Sequence, residues 1–133
     1  MKITIGSDHA GFEHKLEIIK FLENTTETEI LDVGPFNKNS VDYPDYAHLL
    51  AKEVLAGSDF GILICGSGNG ISMAANKHKN IRCAVCWNQE ITKLARAHNN
   101  ANVISLPARF LSIDKSIELI TIFLKETLSL IHI

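Results

Sequence analysis

Cys65 closes an apolar run and opens a glycine-rich loop, Cys65-Gly66-Ser67-Gly68-Asn69-Gly70. Three glycines in so short a loop remove side chains, so main-chain N–H groups can converge on one point. A short stretch of small helix-forming residues, through Ile71, Ala74 and Ala75, follows at once and adds a positive dipole end. The chemistry on offer is an anion site with a thiol at its edge, in surroundings that favour the thiolate as base or nucleophile. Two plainer readings compete. The glycines could serve only the backbone angles of a tight turn, and a free cysteine is usually a small buried hydrophobe.

Two other apolar runs also end in polar residues, at Gly6-Ser7-Asp8-His9-Ala10-Gly11 and at Pro107-Ala108-Arg109. Ligands of open parallel sheets bind beyond the carboxyl ends of the strands. If these runs are such strands, one rim carries a thiol, a carboxylate, an imidazole, a guanidinium and the glycine loop.

Two familiar glycine loops are excluded. The dinucleotide fingerprint needs a sixth-position glycine, where this chain has Ile71, and an acidic residue closing the next strand, where it has Cys86 and Trp87. The phosphate loop of nucleotide hydrolases needs Gly-Lys-Ser or Gly-Lys-Thr, whereas Gly70 is followed by Ile71-Ser72. Cys83 and Cys86 resemble half a zinc site without a second pair, and within a strand they point to opposite faces. His98 falls on the apolar stripe of a helix, where spacing alone reads as a core histidine. His14, His48 and His78 read as helix surfaces or ends, and no metal-ligand cluster emerges from the histidines.

These groups must be positioned by elements the pattern predicts. Strands are expected at Lys2–Gly6, Glu29–Val33, Phe60–Cys65, Arg82–Cys86 and Asn102–Leu106, most of them dense in Ile, Val and Leu as strands buried on both faces should be. Helical spacing links Phe12, Leu16, Ile19 and Leu22, then Tyr46, Leu50 and Val54, then Ile91, Leu94, Ala95 and His98, then Ile117, Ile120, Phe123 and Leu124. Strict alternation predicts a single α/β domain spanning 1–133. Its fold is a three-layer α/β/α sandwich, a Rossmann-like parallel sheet of about five strands with helices on both faces. Gly34-Pro35-Phe36-Asn37-Lys38-Asn39-Ser40 reads as a surface loop.

The 133 residues are 46% hydrophobic and 21% charged, with a formal net charge of −2. That balance excludes a disordered chain and gives no sign of nucleic-acid or membrane partners. Three cysteines with no disulfide framework, no visible targeting segment and no membrane-length apolar run lead us to expect a cytoplasmic protein. The last helix is apolar around most of its circumference, from Ile117 through Leu128, Leu130, Ile131 and Ile133, which favours a subunit interface over burial in its own domain.

Five blocks in order then carry a resemblance: Gly6-Ser7-Asp8-His9-Ala10-Gly11-Phe12; Asp42-Tyr43-Pro44; Gly61 through Cys65 to Ser72; Ala74-Ala75-Asn76-Lys77; and Ala97-His98-Asn99-Asn100-Ala101-Asn102. Over roughly residues 1–125 the chain resembles the type B ribose-5-phosphate isomerases, a family shared with the galactose-6-phosphate isomerase subunits. The resemblance implies aldose–ketose isomerisation of a phosphorylated sugar through an enediolate, without metal or organic cofactor. It implies Cys65 as the base between C2 and C1, Gly66 to Gly70 as the anion hole with Ser67 assisting, and His98 as the acid that opens the furanose. Asp8 and Asn99 would contact sugar oxygens, His9 and Arg109 would help hold the phosphate, and Tyr43 would lie near the ring.

Cys65 ends a strand and His98 ends a helix, so they should lie at opposite rims of one sheet. If both serve one reaction, the active site is shared between two subunits of a homodimer, and the family is similarly built. Where family members carry a glycine-rich tail bearing arginines, this chain reads Thr127-Leu128-Ser129-Leu130-Ile131-His132-Ile133, with His132 near the position of the first tail arginine. The hexose 6-phosphates and a non-catalytic sugar-phosphate-binding module stay open as alternatives.

Overall fold

The computed structural model describes residues 1–25 and 27–126. Leu128, Leu130, Ile131, His132 and Ile133 lie outside the described residues. In chain order the elements are β1 (Lys2–Ser7), α1 (Phe12–Thr25), β2 (Glu29–Asp32), α2 (Tyr43–Leu55), β3 (Phe60–Cys65), α3 (Asn69–Ala75), β4 (Cys83–Val85), α4 (Gln89–Ala97), β5 (Val103–Pro107) and α5 (Ile113–Lys125). Among the described residues all four strand pairings are parallel, in the order β2-β1-β3-β5-β4.

The apolar density of the strands follows their place in this order. Apart from their leading residues Lys2 and Phe60, β1 and β3 are buried along their length, as is all of β5, while the edge strands β2 and β4 are only partly covered. Alternation in β3 assigns the faces. Ile62 and Ile64 pack with Ile18 and Leu22 of α1, Ala95 of α4, and Leu119, Ile120 and Phe123 of α5. Leu63 and Cys65 point the other way, toward Ala47, Leu50 and Val54 of α2 and Ile71 and Ala75 of α3. The expected three-layer sandwich is thus formed, with α1, α4 and α5 on one face and α2 and α3 on the other.

This topology places the end of β3. The chain leaves β1 and β5 for helices on one face, and leaves β3, which lies between them, for a helix on the other. Connections that diverge from neighbouring strand ends open a crevice at the carboxyl rim. Cys65, at the end of β3, therefore sits between two such divergences.

One local expectation needs correction. Leu16 does not face the core; it is 41% exposed, and Lys15 is fully buried in its place. The Lys15 ammonium bonds to Asp32 Oδ1 at 2.7 Å and to the Pro35 carbonyl at 2.6 Å, and lies over the Phe12 and Phe36 rings. A hydropathy pattern scores lysine as surface, so it misses a charge buried with a matched set of acceptors. In α5, Leu119, Ile120 and Phe123 are buried in the chain's own core, while Ile117 and Leu124 are partly buried against the same cluster; the other residues of the expected interface helix, from Leu128 on, lie outside the described residues. Among the described residues no helix is long and apolar enough to cross a membrane.

Candidate active site

The glycine loop folds back on the thiol. The Gly68 N–H donates to Cys65 Sγ at 3.1 Å, in a buried contact. Gly68 can do this because its φ is +75°, a left-handed conformation that costs glycine little. A Cβ there would stand 3.2 Å from the main chain of Leu106 and Pro107. Ser105 fixes the other side of the same residue, its buried hydroxyl donating to the Gly68 carbonyl at 2.6 Å. The Asn69 N–H is taken by Ser67 Oγ at 3.2 Å. The N–H groups of Ser67 and Gly70 have no hydrogen-bond acceptor among the described residues. The loop therefore gives one main-chain donor to the sulfur and leaves the Ser67 and Gly70 N–H groups without a protein acceptor among the described residues.

The neighbouring strand ends complete this rim. The Asp8 N–H donates to the Ile64 carbonyl at 3.0 Å, which ties the loop after β1 to the penultimate residue of β3. Gly11 packs so closely on Ile64 that a Cβ would come within 2.7 Å of it. Asp8 Oδ1 accepts the Gly11 N–H at 3.0 Å. His9 Nδ1 accepts the Val41 N–H at 3.3 Å, so the neutral ring carries its proton on Nε2. Tyr43 opens α2 and lays its ring on Gly70, where a Cβ would sit 2.7 Å from the ring. Arg109 donates its N–H to the Gly66 carbonyl at 3.1 Å and folds its guanidinium over Gly66. Asp8, His9, Tyr43, Gly66, Ser67, Gly68, Asn69, Gly70 and Arg109 thus all lie on the rim with Cys65.

His98 and Asn99 do not. His98 caps the C-terminus of α4, and the Asn99 carbonyl is held by Arg82, the residue before β4. The turn they occupy leads into the start of β5, whereas Cys65 pairs with Pro107 at its end. The five residues of β5 lie between. At ~3.3 Å per residue the two rims are roughly 15 Å apart. His98 is also exposed, so the core-histidine reading of its stripe position is corrected.

The remaining candidates resolve as structure. Cys83 and Cys86 enter opposite hydrophobic clusters, as alternation requires. Burial pushes the Cys83 thiol up to about 12 and the Cys86 thiol up to about 11. His48 and His78 are not simple surface groups. They bond to each other at 2.7 Å and join α2 to the segment after α3. His14 bonds through Nε2 to the Leu111 carbonyl at 2.9 Å.

Residues 3–130 match the model of the ribose/galactose isomerase family. The chain belongs to this family. Ribose-5-phosphate isomerase B of Escherichia coli strain K12 is 42% identical over 114 residues, which is 85% of this chain and 76% of that protein. The structure of Clostridium thermocellum ribose-5-phosphate isomerase B superposes with a TM-score of 0.94 at 43% identity, covering 96% of this chain and 86% of the other. The Mycoplasma genitalium enzyme, solved with bound ribulose-5-phosphate, gives a TM-score of 0.90 at 40% identity, covering 96% and 85%.

Several supports of the rim carry no motif in the sequence. Ser105 was legible as the one hydroxyl in the buried strand Val103-Ile104-Ser105-Leu106-Pro107, since a buried hydroxyl must find a partner. Trp87, Phe110 and Leu111 join Ser67, Asn69, Val85 and Pro107 around a cleft of about 490 Å³ next to the loop. No spacing rule announces that cleft.

The two structural thiols give a pH signature. Both folded values lie above the unfolded one, so below about pH 8 the thiols are neutral in both states and add no pH dependence. From about pH 9 to 11 the unfolded chain releases protons that the folded chain keeps, so stability falls as pH rises. The urea midpoint is expected to decline across that window, and less steeply in a Cys83→Ala/Cys86→Ala variant. Equal slopes for the two proteins would contradict this origin.

Proposed function

We propose that the protein interconverts ribose 5-phosphate and ribulose 5-phosphate through an enediolate, with Cys65 as the base. The observation that carries this reading is the pairing of Cys65 Sγ with the Gly68 N–H, in a loop whose Ser67 and Gly70 N–H groups have no acceptor among the described residues. Proton abstraction next to a carbonyl needs a base and a fixed set of donors for the oxyanion that results. In this scheme the Cys65 thiolate removes the proton from C2, and the C–H electron pair becomes the C1–C2 double bond. The negative charge settles on the carbonyl oxygen, against the Ser67 and Gly70 N–H groups. The thiol then returns the proton to C1, while the O2 proton passes to O1 and a carbonyl forms at C2.

The substrate enters as a closed ring, which must open first. His98 is assigned this acid–base step, with Asn99 and Asp8 on sugar oxygens, His9 and Arg109 on the phosphate and Tyr43 beside the ring. Because His98 and Cys65 stand at opposite rims, the His98–Asn99 turn is supplied by a second copy of the chain. The working enzyme is then a homodimer with two shared sites and no metal or organic cofactor, acting in the cytoplasm.

The test is turnover by the purified full-length protein in the presence of EDTA, followed as ketose formation from ribose 5-phosphate. Galactose 6-phosphate and allose 6-phosphate are run in parallel. Ribose 5-phosphate is expected to give the highest kcat/KM. Conversion of a hexose phosphate alone, or binding of ribose 5-phosphate without conversion, would overturn the assignment.

A further inference from the structure

We infer that Arg82 is a positioning residue for ring opening, an assignment that rests on the role given above to the His98–Asn99 turn. Its Nε–H donates to the Asn99 carbonyl at 2.6 Å. The base of the side chain is itself fixed to the same turn. The Arg82 N–H donates to Asn102 Oδ1 at 2.8 Å, and the Arg82 carbonyl accepts the N–H groups of Asn102 at 3.0 Å and Val103 at 3.3 Å. Asn102 Nδ2 reaches on to the Asn80 carbonyl at 2.9 Å. A rigid two-stranded clasp therefore carries the guanidinium to one carbonyl.

A second arginine holds the turn from inside. Arg96 Nη1 donates to the Ala101 carbonyl at 2.7 Å and to Asn100 Oδ1 at 3.2 Å. Its guanidinium lies over the Phe60 ring at 4.8 Å and the Phe123 ring at 5.7 Å, so it rests against the core. The two arginines differ in what they can be for. Arg96 joins the turn to the core, and its loss would disturb both. Arg82 is exposed, and among the described residues its side chain makes one hydrogen bond, to Asn99.

An exposed guanidinium on one carbonyl adds little to stability. What it does is fix the orientation of the Asn99–Asn100 peptide, one residue beyond His98. Asn100, next in line, sits at φ +48°, so the turn has only a narrow set of geometries open to it. Arg82 selects one of them. The plainer role for such a cation is to cap the carbonyl end of α4. A cap would change stability and leave catalysis alone, and the two roles separate by experiment.

The test is a mutant cycle on the full-length enzyme with ribose 5-phosphate. Small misplacement of a reacting group costs on the order of ten- to a hundredfold in rate, so Arg82→Met should lower kcat about tenfold and leave KM within about twofold. Arg82→Lys, which keeps a donor, should recover at least about half of that loss. In a His98→Asn/Asn99→Ala background, where there is nothing left to position, Arg82→Met should change kcat by less than about twofold. An equal fold-loss in both backgrounds, or an unchanged kcat in the first, overturns the role of Arg82 and leaves the catalytic reading standing. Wild-type turnover in the His98→Asn/Asn99→Ala enzyme overturns the reading of the turn itself, and the inference with it. Should Arg82→Met not fold, the Arg82→Lys and Arg82→Gln enzymes compared in the two backgrounds decide the same question.

Discussion

Cys65→Ala is expected to lower kcat for ribose 5-phosphate by on the order of 10³-fold, the middle of the range for losing a positioned acid–base group. The fold should survive the change. Cys65 is buried among Leu63, Ile71 and Val103, and removing one sulfur there leaves a void about the size of a methyl group. Such a loss costs on the order of 1 kcal/mol, well within the margin of a folded domain. KM should change little, because the main-chain donors and the phosphate contacts remain. Cys65→Ser separates base from packing. The hydroxyl can keep the bond from the Gly68 N–H and most of the volume, yet it is a poor base near neutral pH, so it should fail almost as badly as alanine. The readout closest to the chemistry is exchange of the C2 proton of the substrate with solvent deuterium, followed by NMR. Both variants should lose exchange and turnover together. Retention of more than about a tenth of wild-type kcat by the alanine enzyme would falsify the assignment of Cys65 as base.

The layer order and the candidate rim were legible because each depends on a short-range rule. Alternation of apolar runs with helical stripes predicted parallel strands, and the residues just past each run supplied the rim. Those rules fix which face and which end, and they held for Asp8, Cys65 and Arg109 alike. What stayed hidden depends on partners distant in sequence. Lys15 is buried because Asp32 and the Pro35 carbonyl meet it across the fold, a combination no periodic pattern contains. Strand limits shifted by a residue because ladders end where pairing ends. Thus β5 runs to Pro107, which pairs with Cys65, and β4 shortens to Cys83–Val85 at the edge. The Arg82 clasp is hidden for the same reason, since its bonds join residues about twenty apart through a turn with a left-handed asparagine. His98 is the instructive intermediate. Its stripe position pointed to the core, while its place at the helix end pointed to a rim, and the structure followed the helix end.

Mixing two inactive enzymes should restore activity. Alone, Cys65→Ala lacks the base, and His98→Asn should lose about 10²-fold in kcat because the ring no longer opens efficiently. In a symmetric two-site dimer built from both, one site receives both substitutions and the other receives neither. After random exchange half the dimers are mixed, each with one intact site, so the mixture should reach about a quarter of wild-type activity. The expectation follows from geometry. The His98 turn enters β5 at Val103, the Cys65 end of β3 pairs with Pro107, and the length of β5 lies between them within one chain. No side-chain rotation spans a gap of roughly 15 Å, because an imidazole extends only a few ångströms from its backbone. A second copy can bridge it by presenting its own turn to the first copy's glycine loop. The measurement is turnover of ribose 5-phosphate after unfolding the two variants together and refolding them, against each refolded alone. Recovery to about a quarter supports the shared site. A mixture no more active than the mean of its parents, from a sample shown by mass spectrometry to contain mixed dimers, would mean that each chain completes its own site and that His98 works elsewhere or not at all.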